Sequence, residues 1–182
     1  MVPFHSTTKY VPHYGQLTSA LDLMNTTKRQ IEAFTKFLDK LPHGKDTELV
    51  ILKGHLLIEE QVRTIIERNI NNPEALITAN LTCHQAICIA QALLPAGHEK
   101  EFWEAAKKLN TIRNDIAHNI DIKGLQDKID HFTQLVPVNW EGPDKQATFE
   151  LSIWSLFVYI SSFVEGEVSE HVKSLIPVKS NK

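Results

Sequence analysis

Arg113-Asn114-Asp115-Ile116-Ala117-His118 sets a permanent cation five residues before an imidazole. Arginine keeps its charge at any cellular pH, and its forked donors fit phosphate oxygens. Histidine is the side chain whose unperturbed pKa suits proton transfer near neutrality. Together the two groups can cleave RNA without a metal, the imidazole moving protons and the guanidinium meeting charge on phosphate.

These residues must be positioned by helices. The chain has only seven glycines among 182 residues, and its apolar residues recur at helical spacing without sustained alternation, so the fold class is all-α. Pro3, Pro12 and Gly15 mark residues 1–16 as an irregular arm, and residues 17–175 form one helical domain. A first helix is expected over 17–38 and a second over 46–70, capped by Asp46 or Thr47 and stopped by Asn71-Asn72-Pro73. The second is apolar nearly all round, which predicts burial on more than one side. A third helix is expected over 73–94, a fourth over 99–118, a short amphipathic piece over 125–136, a loop over 137–143 and a last helix over 145–175. Residues 176–182 read as a flexible tail.

On the fourth helix, Phe102, Ala105, Leu109, Ile112, Ile116 and Ile120 fall within one arc that must face the core. Arg113 lies at the edge of that arc. His118 lies about 140° away, on a stripe with Trp103, Lys107, Asn110 and Asn114. Arg113 and His118 of one chain therefore diverge on a straight helix. Helix distortion, a wrapping arginine or a second copy of the chain could bring them together, and a symmetric dimer would place two of each in one cleft. The same six residues also fit an ordinary helix surface, with His118 interacting with the C-terminal dipole.

The motif resembles that of the HEPN superfamily: Arg, a polar residue, three further residues and His. Leu109-Asn110-Thr111-Ile112 looks like the usual lead-in, and Gly54-His55-Leu56-Leu57-Ile58-Glu59-Glu60-Gln61-Val62 is similar to the second-helix region of HEPN-like proteins, including relatives of the mannitol operon repressor. The resemblance covers helices two to four. It implies a bundle of about five main helices that dimerises through the motif helices and, in many members, a metal-independent endoribonuclease of toxin-antitoxin or antiviral systems. It would give His118 the role of acid or base, Arg113 the stabilisation of phosphate charge and Asn114 the orientation of His118. The internal nucleophile would be the ribose 2′-hydroxyl, leaving a 2′,3′-cyclic phosphate. In one branch of the family a tyrosine two positions after the histidine receives AMP; here Ile120 stands there. The superfamily also holds non-catalytic members, so a regulator or protein-interaction module is the alternative.

Glu59 and Asp115 are candidates to hold the pair in place, and Lys107, Asn110 and Trp103 are candidates to contact RNA. Glu59 also has an ordinary intrahelical partner in Arg63. His55 and Glu59 share a helix face and could ligate a metal, but no third ligand is visible in the sequence, so no metal or other cofactor is expected. Cys83, His84 and Cys88 lack a second pair at finger-like spacing and read as packing residues.

A net charge of −3 and a pI near 6.3 supply no general basic field, so any RNA contact must come from a local patch and no DNA binding is expected. Two cysteines cannot build a disulfide framework, and the N-terminus lacks a basic segment followed by an apolar run, which together point to a reducing cytoplasm. Residues 147–164 are apolar and long, yet Glu150 and five hydroxyls favour a buried core helix over a membrane span. No Gly-rich phosphate loop, Gly-x-Ser-x-Gly or His-Glu-x-x-His occurs, which leaves nucleotide hydrolysis, serine hydrolysis and zinc proteolysis without support. The expected partners are RNA, a second copy of the chain, and an antitoxin or regulatory protein.

Overall fold

The computed structural model describes residues 28–94, 100–137 and 144–165. The expected arm, the tail, the loop over 138–143 and the ends of the first and last expected helices lie outside these residues. Within them the chain is all-helical, with no strand. It runs α1 (Lys28–Lys40), α2 (Thr47–Asn69), α3 (Glu74–Ile77), α4 (Cys83–Leu93), α5 (Lys100–His118), α6 (Leu125–Leu135) and α7 (Lys145–Ser162), closed by a 3-10 turn, Phe163–Glu165.

Helix α2 is the centre of the bundle: α1, α4, α5 and α7 all pack on it. Its start is fixed by Asp46, whose carboxylate accepts from the Leu49 N–H at 3.0 Å. Val50, Ile51, Leu57, Ile58, Val62, Ile65 and Ile66 are buried, as an all-round apolar helix requires. Leu49 and Leu56 nevertheless remain 42% and 52% exposed, so one stripe of α2 is left uncovered. Gly54 lets α7 approach closely, since a Cβ there would lie 2.9 Å from Cγ2 of Ile153.

Helix α7 is buried from Ser152 to Ser162. Three of its buried hydroxyls are accommodated within the helix: Ser152, Ser155 and Ser162 donate to the carbonyls of Thr148, Leu151 and Tyr159, whereas the buried Ser161 hydroxyl has no partner among the described residues. Phe102 of α5 stacks on Tyr159 with ring centroids 3.9 Å apart. Buried Glu150 anchors the α1–α2 connection, accepting from Gly44 N–H at 3.0 Å and Gln146 Nε2 at 2.8 Å and meeting His43 Nδ1 at 3.1 Å. Burial opposes its ionisation, but the bonds from His43, Gln146 and Gly44 outweigh that, and its pKa is held below the usual 4.5. No helix among the described residues is long and apolar enough to cross a membrane.

Two expected elements are corrected. The last helix, expected over 145–175, ends as an α-helix at Ser162, where the Phe163 N–H bonds the Ile160 carbonyl three residues back and the chain tightens into the 3-10 turn. The single helix expected over 73–94 is two, α3 and α4, separated by a turn in which Asn80 takes the left-handed conformation at φ 48°. A new start is encoded at Thr82, whose hydroxyl accepts from Gln85 N–H while the Gln85 side chain accepts from Thr82 N–H. Cys83 thereby becomes the first residue of α4 rather than a mid-helix position.

Candidate functional site

Helix α5 carries the motif. Its core arc is placed as expected: Phe102, Ala105, Leu109 and Ile112 are buried and Ile116 is partly buried, but Ile120 lies beyond the helix end and is 99% exposed. Past Ile116 the chain turns to solvent, with Ala117, His118, Asn119 and Ile120 all exposed.

Arg113 is half-buried, and its Nη1 donates to Asn114 Oδ1 at 3.1 Å. Among the described residues no carboxylate pairs with its guanidinium, which leaves the charge available to an anion. Asn114 thus holds Arg113, whereas the resemblance implied that it would hold His118. His118 ends α5 on its exposed last turn, and no side-chain hydrogen bond joins it to Arg113 or Asn114 among the described residues. Within one chain the two motif residues thus form no hydrogen bond with each other among the described residues.

The remaining expected residues fall into place for other reasons. Asp115 ion-pairs with Lys128 and so fastens α5 to α6. Lys107 Nζ donates to Glu104 at 3.1 Å and Gln91 at 3.3 Å and stays partly exposed. Trp103 and Asn110, expected to meet RNA, are buried at 1% and 6% exposure. Trp103 stacks on Phe163, and Asn110 binds His55. The reason is that α5 is covered by α4 as well as α2, so the N-terminal part of the His118 stripe faces protein.

Beside Arg113 the helices assemble a polar cluster around buried His55 and Asn110, with Glu59, Arg63 and Cys83 partly exposed at its edge. His55 of α2 is 3% exposed; its Nε2 lies 3.1 Å from Asn110 Oδ1 and 3.3 Å from Cys83 Sγ. An amide oxygen only accepts, so Nε2 carries the proton and Nδ1 is left with a lone pair. Nδ1 has no hydrogen-bond partner and faces Glu59 Oε2 at 3.7 Å. The other carboxylate oxygen, Oε1, accepts from Arg63 Nη2 at 2.6 Å and Nε at 3.0 Å, the intrahelical pair legible in the sequence. Arg63 Nη2 also donates to the Leu81 carbonyl at 3.1 Å, tying α2 to the segment that leads into α4.

Burial pushes the His55 pKa down from its ordinary value, and the charge of Arg113 adds to this against the opposing Asn110 bond and Glu59 charge. Burial, reinforced by Glu59, pushes the Cys83 thiol up to about 12. Arg113 is therefore close enough to bear electrostatically on both groups. His55, Glu59 and Cys83 form a third-ligand set that sequence reasoning missed. The Thr82-x-x-Gln85 box was the available signal, because it places Cys83 at a helix start beside α2 rather than inside a continuous helix.

The chain matches no family model, and comparisons with curated proteins and with solved structures return no match.

Proposed function

We propose that this chain is a metal-independent endoribonuclease of the HEPN type, acting as a homodimer in a reducing cytoplasm as a toxin or antiviral defence effector. The observation that carries the reading is the state of the motif helix: a guanidinium with no carboxylate partner among the described residues, held by Asn114, on the same helix as a solvent-exposed imidazole. A cation left unpaired at half burial is suited to an anionic group brought by a substrate. Fully exposed Ile120 beside His118 adds an apolar contact for a second copy, which would bring each His118 toward its partner's Arg113.

In such a cleft the ribose 2′-oxygen forms a bond to phosphorus as the bond to the 5′-oxygen breaks. His118 takes the 2′-proton or returns one to the leaving oxygen, and Arg113 meets the charge that accumulates on the phosphate. The products are a 2′,3′-cyclic phosphate and a 5′-hydroxyl. A second reading, a non-catalytic regulator or interaction module, draws on the uncovered Leu49 and Leu56 stripe of α2.

Incubation of the purified chain with mixed RNAs in EDTA tests the proposal. Wild type should release cyclic-phosphate ends, and His118→Ala and Arg113→Ala should each lose at least about 100-fold in rate. His118 is exposed, so its variant keeps the fold. Failure of the intact wild-type dimer on every RNA would turn the reading toward the interaction module.

A further inference from the structure

We propose that His55, Glu59 and Cys83 form a zinc-binding site that clamps α2 to α4 behind the motif helix. One donor atom from each residue lies within 4.8 Å of the others. His55 and Glu59 stand one turn apart on α2, and Cys83 comes from the first turn of α4. Imidazole, carboxylate and thiolate form a donor set suited to Zn2+, with three protein ligands and one position open to a further ligand.

The unpartnered atom is what points to an ion. His55 is almost wholly buried, yet Nδ1 presents a lone pair to a carboxylate oxygen 3.7 Å away with no hydrogen bond between them. Two electron-rich atoms facing each other beside a buried imidazole call for a cation between them. From Zn–N, Zn–O and Zn–S lengths, tetrahedral donors lie about 3.4 to 3.6 Å apart, so the Nδ1 to Oε2 spacing needs only a small contraction. The Sγ of Cys83 lies 3.3 Å from the other ring nitrogen and completes a group of three donors within 4.8 Å of one another.

The surroundings already have the form of an outer shell. The Nε2–H of His55 donates to Asn110 Oδ1, which fixes the ring so that Nδ1 is the coordinating nitrogen. The Glu59 oxygen not offered to the metal is held by two donors of Arg63. Charge balances as well. Coordination releases the Cys83 proton to solvent, and thiolate plus carboxylate neutralise the dication. Arg63 and Arg113 then face a neutral centre. The site is independent of the ribonuclease proposal, and its ion need take no part in RNA chemistry.

Cobalt(II) is the probe, because a thiolate ligand gives it a charge-transfer absorption. The full chain, stripped with EDTA and returned to chelator-free buffer, is titrated with Co2+ in the Cys88→Ser background, where Cys83 is the single thiol. Cys88 is exposed and tolerates this change. The expected result is one equivalent bound, with thiolate charge-transfer and tetrahedral d–d bands that one equivalent of Zn2+ abolishes. Asn110→Ala, which frees the ring without removing a ligand, should weaken Co2+ binding by about 10- to 100-fold. Absence of the charge-transfer band in Cys88→Ser protein with native circular dichroism overturns the proposal. So does a band present in wild type and lost in Cys88→Ser, which would assign the metal to His84 and Cys88.

Discussion

The His55–Asn110 bond joins the centre of the bundle to the motif helix, and its worth can be calculated and measured. Asn110 is 6% exposed and precedes Arg113 by one turn, so its seating also seats the arginine. Asn110→Ala leaves the His55 Nε2–H facing only the Cys83 sulfur, a weak acceptor. A buried donor deprived of its partner costs about 1–3 kcal/mol. For a chain of this length each kcal/mol lowers Tm by about 2–4 °C, so a loss of about 2 kcal/mol predicts a fall of about 4–8 °C. His55→Leu removes the other partner and strands the Asn110 carbonyl at similar cost. The double variant strands neither group, so it should be more stable than the sum of the single losses predicts by about 1–2 kcal/mol. Urea denaturation of all four proteins in EDTA, which keeps metal out of the comparison, closes the cycle. Additivity within about 0.5 kcal/mol would refute the bond as the link between α2 and α5.

Three further outcomes follow from the packing. Gly54→Ala gains about 1 kcal/mol of helix propensity but sets a Cβ 2.9 Å from the buried, β-branched Ile153, so overpacking of about 1–3 kcal/mol should win and Tm should fall; a raised Tm would show that the α2–α7 contact is looser than described. Because the folded pKa of Glu150 is lowered, its stabilisation is complete above the unfolded value near 4.5 and is lost as pH falls through the folded value. Chemical denaturation of Glu150→Gln should therefore lose part of the acid dependence seen in wild type, and identical slopes for the two proteins would contradict the assignment. Iodoacetamide at pH 7 should modify exposed Cys88 and spare Cys83, whose thiol, pushed up to about 12 by burial, stays protonated at that pH; comparable labelling of both would place Cys83 in a different environment.

Helix type and much of the core were legible because they depend on periodicity alone. The burial of α2 on several sides and the core arc of α5 were both readable from spacing. Asp46 announced its cap through a side chain that can accept from the first turn. The break between α3 and α4 was hidden because Leu76, Ile77 and Leu81 maintain apolar spacing across it, while Asn80 supplies a left-handed residue without a glycine to mark it. Periodicity also assigns residues to a stripe without saying how many neighbours the helix has. Trp103 and Asn110 were therefore read as surface residues, although α4 and the turn at Phe163 cover them. The polar cluster needed tertiary structure, since His55, Cys83 and Asn110 come from three helices and only its His55, Glu59 and Arg63 share one.

The dimer proposal turns on the uncovered end of α5. The stripe that holds Trp103 and Asn110 is buried by the bundle, yet its continuation through Asn114 to His118 runs into solvent. Ile120 follows with 99% of its surface exposed, although its side chain is among the most apolar available. A second copy related by a two-fold axis would cover both Ile120 side chains at once and face each His118 toward the other chain's Arg113. Ile120→Asp should leave the monomer's stability within about 0.5 kcal/mol, because the position is exposed. In the dimer the same change buries two like charges close together, which costs several kcal/mol and shifts association by two or more orders of magnitude. Sedimentation at micromolar concentration should give a dimer for wild type and a monomer for Ile120→Asp, with cyclic-phosphate production falling alongside the dimer. A wild-type monomer, or a dimer indifferent to the aspartate, would separate Arg113 from His118 permanently and remove the shared cleft on which the proposed chemistry depends.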